Sequence, residues 1–126
     1  MSELKKLADR YIAVWNEPDA NRRSSSIAEL WTEDGAHFTK VHNARGYEAL
    51  EARVAGAYEK WVQLGSFVFK SANNPEGHHN GVRFNWHMVR TDTGQVASVG
   101  FDFLVLDEDG RIRVDYQFLD TAPPQS

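Results

Sequence analysis

The sequence predicts a single α+β domain, in which a curved antiparallel or mixed β-sheet wraps around three helices of the N-terminal half and leaves a cone-shaped cavity. Three observations predict this class. Apolar residues recur at helical spacing before Gly65, period-two patterns of β-branched and aromatic residues follow it, and no linker rich in Pro, Gly or Ser separates the halves. We therefore assign residues 1–120 to one domain and residues 121–126 to a frayed C-terminal tail.

Three helical patterns precede Gly65. The first has an apolar face that contains Tyr11, and Asn16-Glu-Pro-Asp19 ends it. A short second helix is expected to begin at the serines of 24–26 and to end at the turn Thr32-Glu-Asp-Gly35, before a strand from about residue 36 to residue 41. The third helix, long and amphipathic, follows a break at 43–46 and ends near Gly65.

Four strands are predicted beyond Gly65, with turn residues between them. The strands cover residues 66–72, 81–90, 96–106 and 111–119. The connections, which are rich in Gly, Asn and Asp, are residues 73–77, 91–94 and 107–110. Such a meander can curve around the three helices.

Composition excludes several classes of function. The chain has 126 residues, a formal net charge of −4 and no cysteine. Without a basic stripe we expect no nucleic-acid partner, and without cysteine there is no disulfide, thiol nucleophile or thiolate metal site. The N-terminus is charged and the chain has no long apolar run, so we expect no signal peptide and no membrane partner. A cytoplasmic location is therefore expected.

Asp102 lies in the apolar run Val99-Gly-Phe-Asp-Phe-Leu-Val-Leu106, and Tyr11 lies on the inward stripe of the first helix. A carboxylate in a buried strand must be neutralised or hydrogen-bonded, because desolvation disfavours its charged form. A neutral carboxylic acid beside a tyrosine hydroxyl would form a pair of donors suited to an oxyanion. Either residue could instead be structural, with its polar atoms satisfied by ordinary hydrogen bonds.

Four motifs together resemble one superfamily. They are Arg10-Tyr-Ile-Ala-Val-Trp-Asn16, Ala28-Glu-Leu-Trp-Thr-Glu-Asp-Gly35, Gly46-Tyr-Glu-Ala-Leu50 and the segment from Asp102 to Ile112. Their order and spacing resemble the SnoaL-like, nuclear transport factor two-like and ketosteroid isomerase-like proteins. The resemblance covers nearly the whole chain and implies a cystatin-like α+β barrel, commonly dimeric. It implies no single activity, because this fold carries isomerases, cyclases, dehydratases and non-catalytic binders.

The resemblance assigns roles to two residues and leaves a third in doubt. Tyr11 occupies the place of the isomerase's oxyanion-hole tyrosine, and Asp102 that of its protonated aspartate, which is an established example of a neutral acid donor. Where the isomerases carry an Asp-Pro pair, this chain has Thr39-Lys40. Threonine cannot serve as the carboxylate base, so steroid isomerisation by the familiar mechanism is not expected.

His37 is the candidate replacement for the missing base. Strand alternation places it on the same face as Thr39, and imidazole titrates near neutral pH. The alternative is a hydrogen-bonded residue of the pocket wall.

The last strand permits two assignments of its faces. The resemblance places Arg113, Asp115, Gln117 and Leu119 toward the cavity, whereas apolar alternation selects Ile112, Val114, Tyr116 and Phe118. We favour Asp115 and Gln117 as polar cavity residues, with Asp115 as a second candidate for moving a proton. This choice requires the outer face to be covered by a second copy, which predicts a homodimer through the sheet.

The remaining candidates concern the pocket wall, metals and cofactors. We expect the pocket to be lined by Trp15, Thr39, Val54, Tyr58, Phe84, Trp86, Met88, Gly100 and Gln117. Its aromatic and apolar members could equally be core residues. The histidines have no metal-ligand spacing, and the glycine fingerprints of phosphate and dinucleotide sites are absent, so neither a metal nor a cofactor is expected.

Two functions remain open. The first is an isomerase, cyclase or dehydratase that acts on a small hydrophobic carbonyl compound, with Tyr11 and Asp102 polarising the carbonyl. The second is a non-catalytic module that binds a small hydrophobic ligand or forms a dimer, which the loss of the usual aspartate at Thr39 favours.

Overall fold

The helices lie in the first half of the chain with two strands between the second and third, and the remaining strands follow, which confirms the predicted α+β class. The computed structural model describes residues 2–121. The helices are α1 (Glu3–Asn16), α2 (Ala20–Leu30) and α3 (Tyr47–Ala57), and a π-helical turn (Tyr58–Gln63) continues α3. The strands are β1 (Trp31–Phe38), β2 (Asn43–Arg45), β3 (Phe67–Ser71), β4 (Glu76–His78), β5 (Gly81–Arg90), β6 (Val96–Leu106) and β7 (Ile112–Thr121).

One mixed, seven-stranded sheet carries the fold. Its order is β2-β1-β7-β6-β5-β3, with β4 paired to the end of β5. The pair β1 and β7 is parallel, and the other pairs are antiparallel. Register shifts interrupt β5, β6 and β7, and such bulges bend strands. The helices pack on one face of this sheet, where the apolar core includes Ile27, Trp31, Leu50, Phe84 and Leu104.

The second helix begins earlier than the serines predict. It starts at Ala20, and the side chain of Asp19 caps it by accepting from the backbone N–H groups of Asn21 and Arg22. The serines of 24–26 lie inside the helix. The prediction was wrong because serine and aspartate are similarly good N-caps, and the polar first turn contains no apolar residue to mark the helix.

The first strand is also displaced from its predicted bounds. Residues 32–35, predicted as an exit turn, belong to β1, and the irregularity appears instead as a break in register with β7 between Trp31 and Ala36. The strand ends at Phe38 rather than near residue 41, because Thr39 closes a turn: its Oγ1 accepts from the backbone N–H groups of Val41 and His42. The short strands β2 and β4 occupy segments that were predicted as turns.

The C-terminal end differs slightly from expectation. Thr121 completes β7 and accepts a hydrogen bond from Ser98 Oγ (2.7 Å), so it is not part of a frayed tail. The rest of the predicted tail, 122–126, lies outside the described residues. Within residues 2–121, the helices are too short or too polar to cross a bilayer.

Candidate active site

Four polar side chains from four elements meet in the interior. Tyr11 comes from α1, His37 from β1, Asp102 from β6 and Asp115 from β7. Tyr11 is 2% exposed, and the other three are completely buried. The structure therefore brings together all four residues that were predicted to be catalytic, although their catalytic roles remain a prediction.

Strand register explains why these residues converge. His37 lies beside Asp115 in the parallel pair of β1 and β7, and Asp102 faces Gln117 across β6 and β7. A register shift between Ile112 and Val114 rotates the start of β7, so that Ile112 and Asp115 both point inward. Simple alternation could not find this, because one extra residue exchanges the two faces.

The Tyr11 hydroxyl bridges the two aspartates. Its oxygen lies 2.8 Å from Asp102 Oδ2 and 2.5 Å from Asp115 Oδ2. One hydroxyl has a single proton to donate, and an ionised carboxylate has none. Both contacts are hydrogen bonds only if one of the two aspartates is protonated.

The proton belongs on Asp102. Burial raises the pKa of Asp102 well above its ordinary value of 3.8, and the adjacent Asp115 raises it further. Burial raises the pKa of Asp115 only to about 6, because hydrogen bonds from Asp102 and Tyr11 favour its charged form. At neutral pH, Asp102 donates to Tyr11, and Tyr11 donates to the Asp115 carboxylate.

His37 and Arg53 extend the chain of hydrogen bonds. Burial lowers the pKa of His37 to about 4, so its ring is neutral. Arg53 Nε donates to His37 Nε2 (3.4 Å), which leaves the ring proton on Nδ1 to donate to Asp115 Oδ2 (2.7 Å). Arg53 was missed from the sequence. Its position on α3 offered no signal other than a cation on a helix whose other inward residues are apolar.

Trp86 fixes the orientation of the Asp102 carboxyl. Its Nε1 donates to Asp102 Oδ1 (2.8 Å). The indole ring lies against Gly100, where an added Cβ would lie 2.8 Å from Trp86 Cε2 and 2.6 Å from the carbonyl oxygen of Phe118. Gly100, predicted to line the pocket, instead provides the space in which Trp86 reaches Asp102.

A pocket of about 1160 Å³ lies above the cluster. Tyr11 and Asp102 line it, but His37 and Asp115 do not, since they lie one layer below. Asp115 was expected to be a polar cavity residue and is not part of the lining, and His37 is a buried, hydrogen-bonded residue, close to the alternative left open for it. Five predicted wall residues do line the pocket: Trp15, Thr39, Trp86, Met88 and Gln117.

Three other predicted wall residues lie elsewhere. Val54 and Phe84 are buried in the apolar core, and Phe84 packs edge-on against the Tyr11 ring. Tyr58 faces α2, where the Arg23 guanidinium lies 4.9 Å from its ring centroid. Residues that the prediction omitted include Arg53, Lys60 and Trp61 from the third helix and the π-helical turn.

The buried cluster also contains potential metal ligands. His37, Asp102 and Asp115 each place one ligand atom within 4.8 Å of the others. His37 Nδ1, Asp102 Oδ2 and Asp115 Oδ2 are already engaged in hydrogen bonds, which an ion bound by these atoms would have to displace. Asp115 Oδ1 has no partner among the described residues. The arrangement is better suited to holding and moving protons than to coordinating a metal.

Comparison with solved structures identifies the fold. A provisionally assigned isomerase of the SnoaL-like family from Agrobacterium tumefaciens is 29% identical, with a TM-score of 0.85 over 95% of this chain and 99% of that one. The chain shares the fold of SnoaL-like and nuclear transport factor two-like proteins. No family model and no curated protein matches the sequence.

More distant structures share the SnoaL-like fold alone. A provisionally assigned polyketide cyclase from Sinorhizobium meliloti has a TM-score of 0.68 at 12% identity, covering 90% of this chain and 94% of that one. A de novo designed protein with a curved β-sheet has a TM-score of 0.69 at 11% identity, covering 95% and 88%. Because a designed protein has this shape, the function must be argued from the site.

Proposed function

We propose that this protein is a cofactor-free enzyme that transfers a proton on a small hydrophobic carbonyl compound, with Asp102 as the group that touches the substrate. The observation that carries this proposal is a buried carboxyl at the floor of a largely apolar pocket, where burial raises the pKa of Asp102 well above its ordinary value. A carboxylic acid that stays neutral at neutral pH can act as a general acid. Isomerases, cyclases and dehydratases all use such a step.

One carboxyl can supply both proton transfers of an enolisation. Asp102 gives its proton to the carbonyl oxygen, and the resulting carboxylate takes a proton from the α-carbon, which leaves the enol and restores the acid. Trp86 Nε1–H stabilises the transient carboxylate, and the Tyr11 hydroxyl does so as well when it turns its single proton from Asp115 to Asp102. This sequence of steps requires no separate base at Thr39.

The other members of the cluster act through Asp102. Asp115 is ionised above about pH 6 and accepts the Tyr11 proton, so the Tyr11 oxygen is free to accept from Asp102. His37, held by Arg53, donates to the same carboxylate. These three groups therefore position and tune the Asp102 proton.

Deuterium incorporation tests the proposal without knowledge of the natural substrate. The probe is 2-tetralone in D2O, a hydrophobic ketone whose exchange at the α-carbon is followed by proton NMR. We expect the protein to accelerate exchange and Asp102→Asn to reduce the acceleration by about 100-fold or more. Glu108→Gln removes an exposed carboxyl and should leave the rate unchanged.

Retention of exchange by a folded Asp102→Asn protein would contradict the acid role of Asp102. Binding of 2-tetralone without exchange would favour the non-catalytic ligand-binding module instead. Thermal unfolding of each variant confirms that a lost rate is not a lost fold.

A further inference from the structure

The pocket concentrates positive charge in a chain whose formal net charge is −4. Its lining includes Lys40, Arg53 and Lys60. Among the described lining residues the one acidic side chain is Asp102, which is buried and holds a proton. Burial lowers the pKa of His42, and the charges of Arg53 and Lys60 lower it further, so the His42 ring is neutral and the positive charge comes from Lys40, Arg53 and Lys60. The pocket therefore presents an excess of positive charge.

Arg53 lies deepest of these cations. Its side chain is half-buried on α3, and its Cζ lies 5.2 Å from the centroid of the Trp15 ring. Nε donates to His37, but the two terminal nitrogens make no hydrogen bond or ion pair within residues 2–121. A partly desolvated guanidinium without a carboxylate partner is unfavourable. Its fork of donors is suited to a carboxylate in a bidentate contact.

Trp15 supplies an independent observation at the same place. Its Nε1–H is buried and has no acceptor among the described residues, although the side chain lines the pocket. A buried donor without an acceptor is uncommon in folded proteins. Arg53 and Trp15 together leave this wall rich in donors and short of acceptors.

We propose that Arg53 binds an anionic group of the ligand, so that the pocket takes a hydrophobic carboxylate. The apolar walls accommodate its hydrocarbon body, and Asp102 at the floor faces its reacting carbonyl. The ligand is thus a keto acid or a related acid with a ring or chain of moderate size. That this ligand is also a substrate rests on the proposed function. Its binding does not, because anion binding can be measured without turnover.

Binding of a matched pair of compounds tests this inference. The probes are 2-naphthoate and the neutral, nearly isosteric 2-naphthamide, each titrated into the protein by calorimetry. We expect 2-naphthoate to bind about tenfold more tightly, since a hydrogen bond to a charged partner is worth about one order of magnitude or more in affinity. Arg53→Gln should remove this preference and leave 2-naphthamide within about twofold.

Arg22→Gln is the matched control, because Arg22 is exposed on α2 and does not line the pocket. It removes the same charge and should preserve the preference for 2-naphthoate. Equal affinity of the wild-type protein for both probes, or no binding of 2-naphthoate at millimolar concentration, would overturn the inference. An equal loss in both variants would overturn it as well, since the effect would then be one of net charge. Loss of ketone exchange in Asp102→Asn bears on catalysis alone, so the two proposals fail separately.

Discussion

At the scale of the residue, the decisive feature is how two protons are distributed over the three side chains of Tyr11, Asp102 and Asp115. Tyr11 contacts both Asp102 and Asp115, and its single hydroxyl proton cannot serve two ionised carboxylates. The protein keeps Asp102 neutral by burying it, at a cost in stability at every pH where the unfolded chain would release that proton. Functional groups held in unfavourable states commonly reduce stability in this way.

Asp102→Asn is therefore expected to be more stable than the wild-type protein in mildly alkaline solution. The folded pKa of Asp102 is raised above the ordinary 3.8, so unfolding releases a proton, and the free energy of unfolding falls as pH rises toward the folded pKa. The slope is about 1.4 kcal/mol per pH unit for one proton. Asparagine does not titrate, and it can still accept from Trp86 and donate to Tyr11.

Urea unfolding between about pH 7 and pH 9 measures this effect. Asp115 has a folded pKa of about 6 and His37 one of about 4, so at lower pH they change the free energy of unfolding in opposite directions. In the folded protein neither group titrates within this window. The stability advantage of Asp102→Asn should grow with pH, whereas Glu108→Gln should run parallel to the wild type. Parallel curves for Asp102→Asn would mean that Asp102 is ionised in the folded protein.

At the scale of the element, a bulge and a glycine decide where the side chains point. The register shift in β7 turns Asp115 inward, and Gly100 in β6 makes room for the Trp86 ring from β5. Neither signal is visible in hydrophobic periodicity, because a glycine or an extra residue carries no apolar character of its own. Backbone irregularities therefore determine the positions of side chains around Asp102 as much as side-chain packing does.

Gly100→Ala is expected to lower the free energy of unfolding by about 1–3 kcal/mol, as over-packing a core does. The new methyl group would press on the Trp86 ring and on the carbonyl oxygen of Phe118, and so would break the hydrogen bond to Asp102. Chemical unfolding measures the loss, and the NMR shift of the Trp86 indole N–H reports the broken bond.

Gly56→Ala provides the contrast for that substitution. Nothing lies within 4 Å of a Cβ at this helical position, so alanine should stabilise the protein by about 0.5–1 kcal/mol. If Gly100→Ala behaved like Gly56→Ala, Gly100 would have no role in placing Trp86.

At the scale of the whole molecule, the outer face of β6 and β7 is apolar. Cross-strand pairs on β6 and β7 place aromatic and branched side chains side by side: Phe101 with Phe118, Phe103 with Tyr116, and Val105 with Val114. Phe103, Tyr116 and Phe118 are 40%, 41% and 51% exposed. A contiguous apolar patch of this kind is typical of a protein interface, and a two-fold axis would allow the patch to pair with itself.

We therefore expect a homodimer through this face, and Phe103→Glu should convert it into a monomer. Two buried charges at the centre of a symmetric interface would oppose association, because neither would have a partner. Sedimentation velocity measures the change. Phe103 does not line the pocket, so ligand binding is not altered directly.

Leu64→Glu is the control for that substitution, since Leu64 is 73% exposed but follows the π-helical turn and does not belong to β6 or β7. Sedimentation of this variant should match the wild type. A wild-type monomer, or a Phe103→Glu dimer, would refute the interface.

The amino-acid sequence by itself determined the α+β class, the three helices and most of the strands, because hydrophobic periodicity reports which face of each element is buried. It also selected Asp102, since a carboxylate in an apolar run calls for a specific partner. Strand alternation selected His37, and the family resemblance assigned the roles of Tyr11 and Asp115. Only the tertiary structure placed Asp102 at the pocket and His37 and Asp115 beneath it. Contacts between distant segments determine how far each side chain lies from the pocket, how the strands are registered, and which Arg53 donors lack a partner among the described residues. Local sequence patterns do not carry that information.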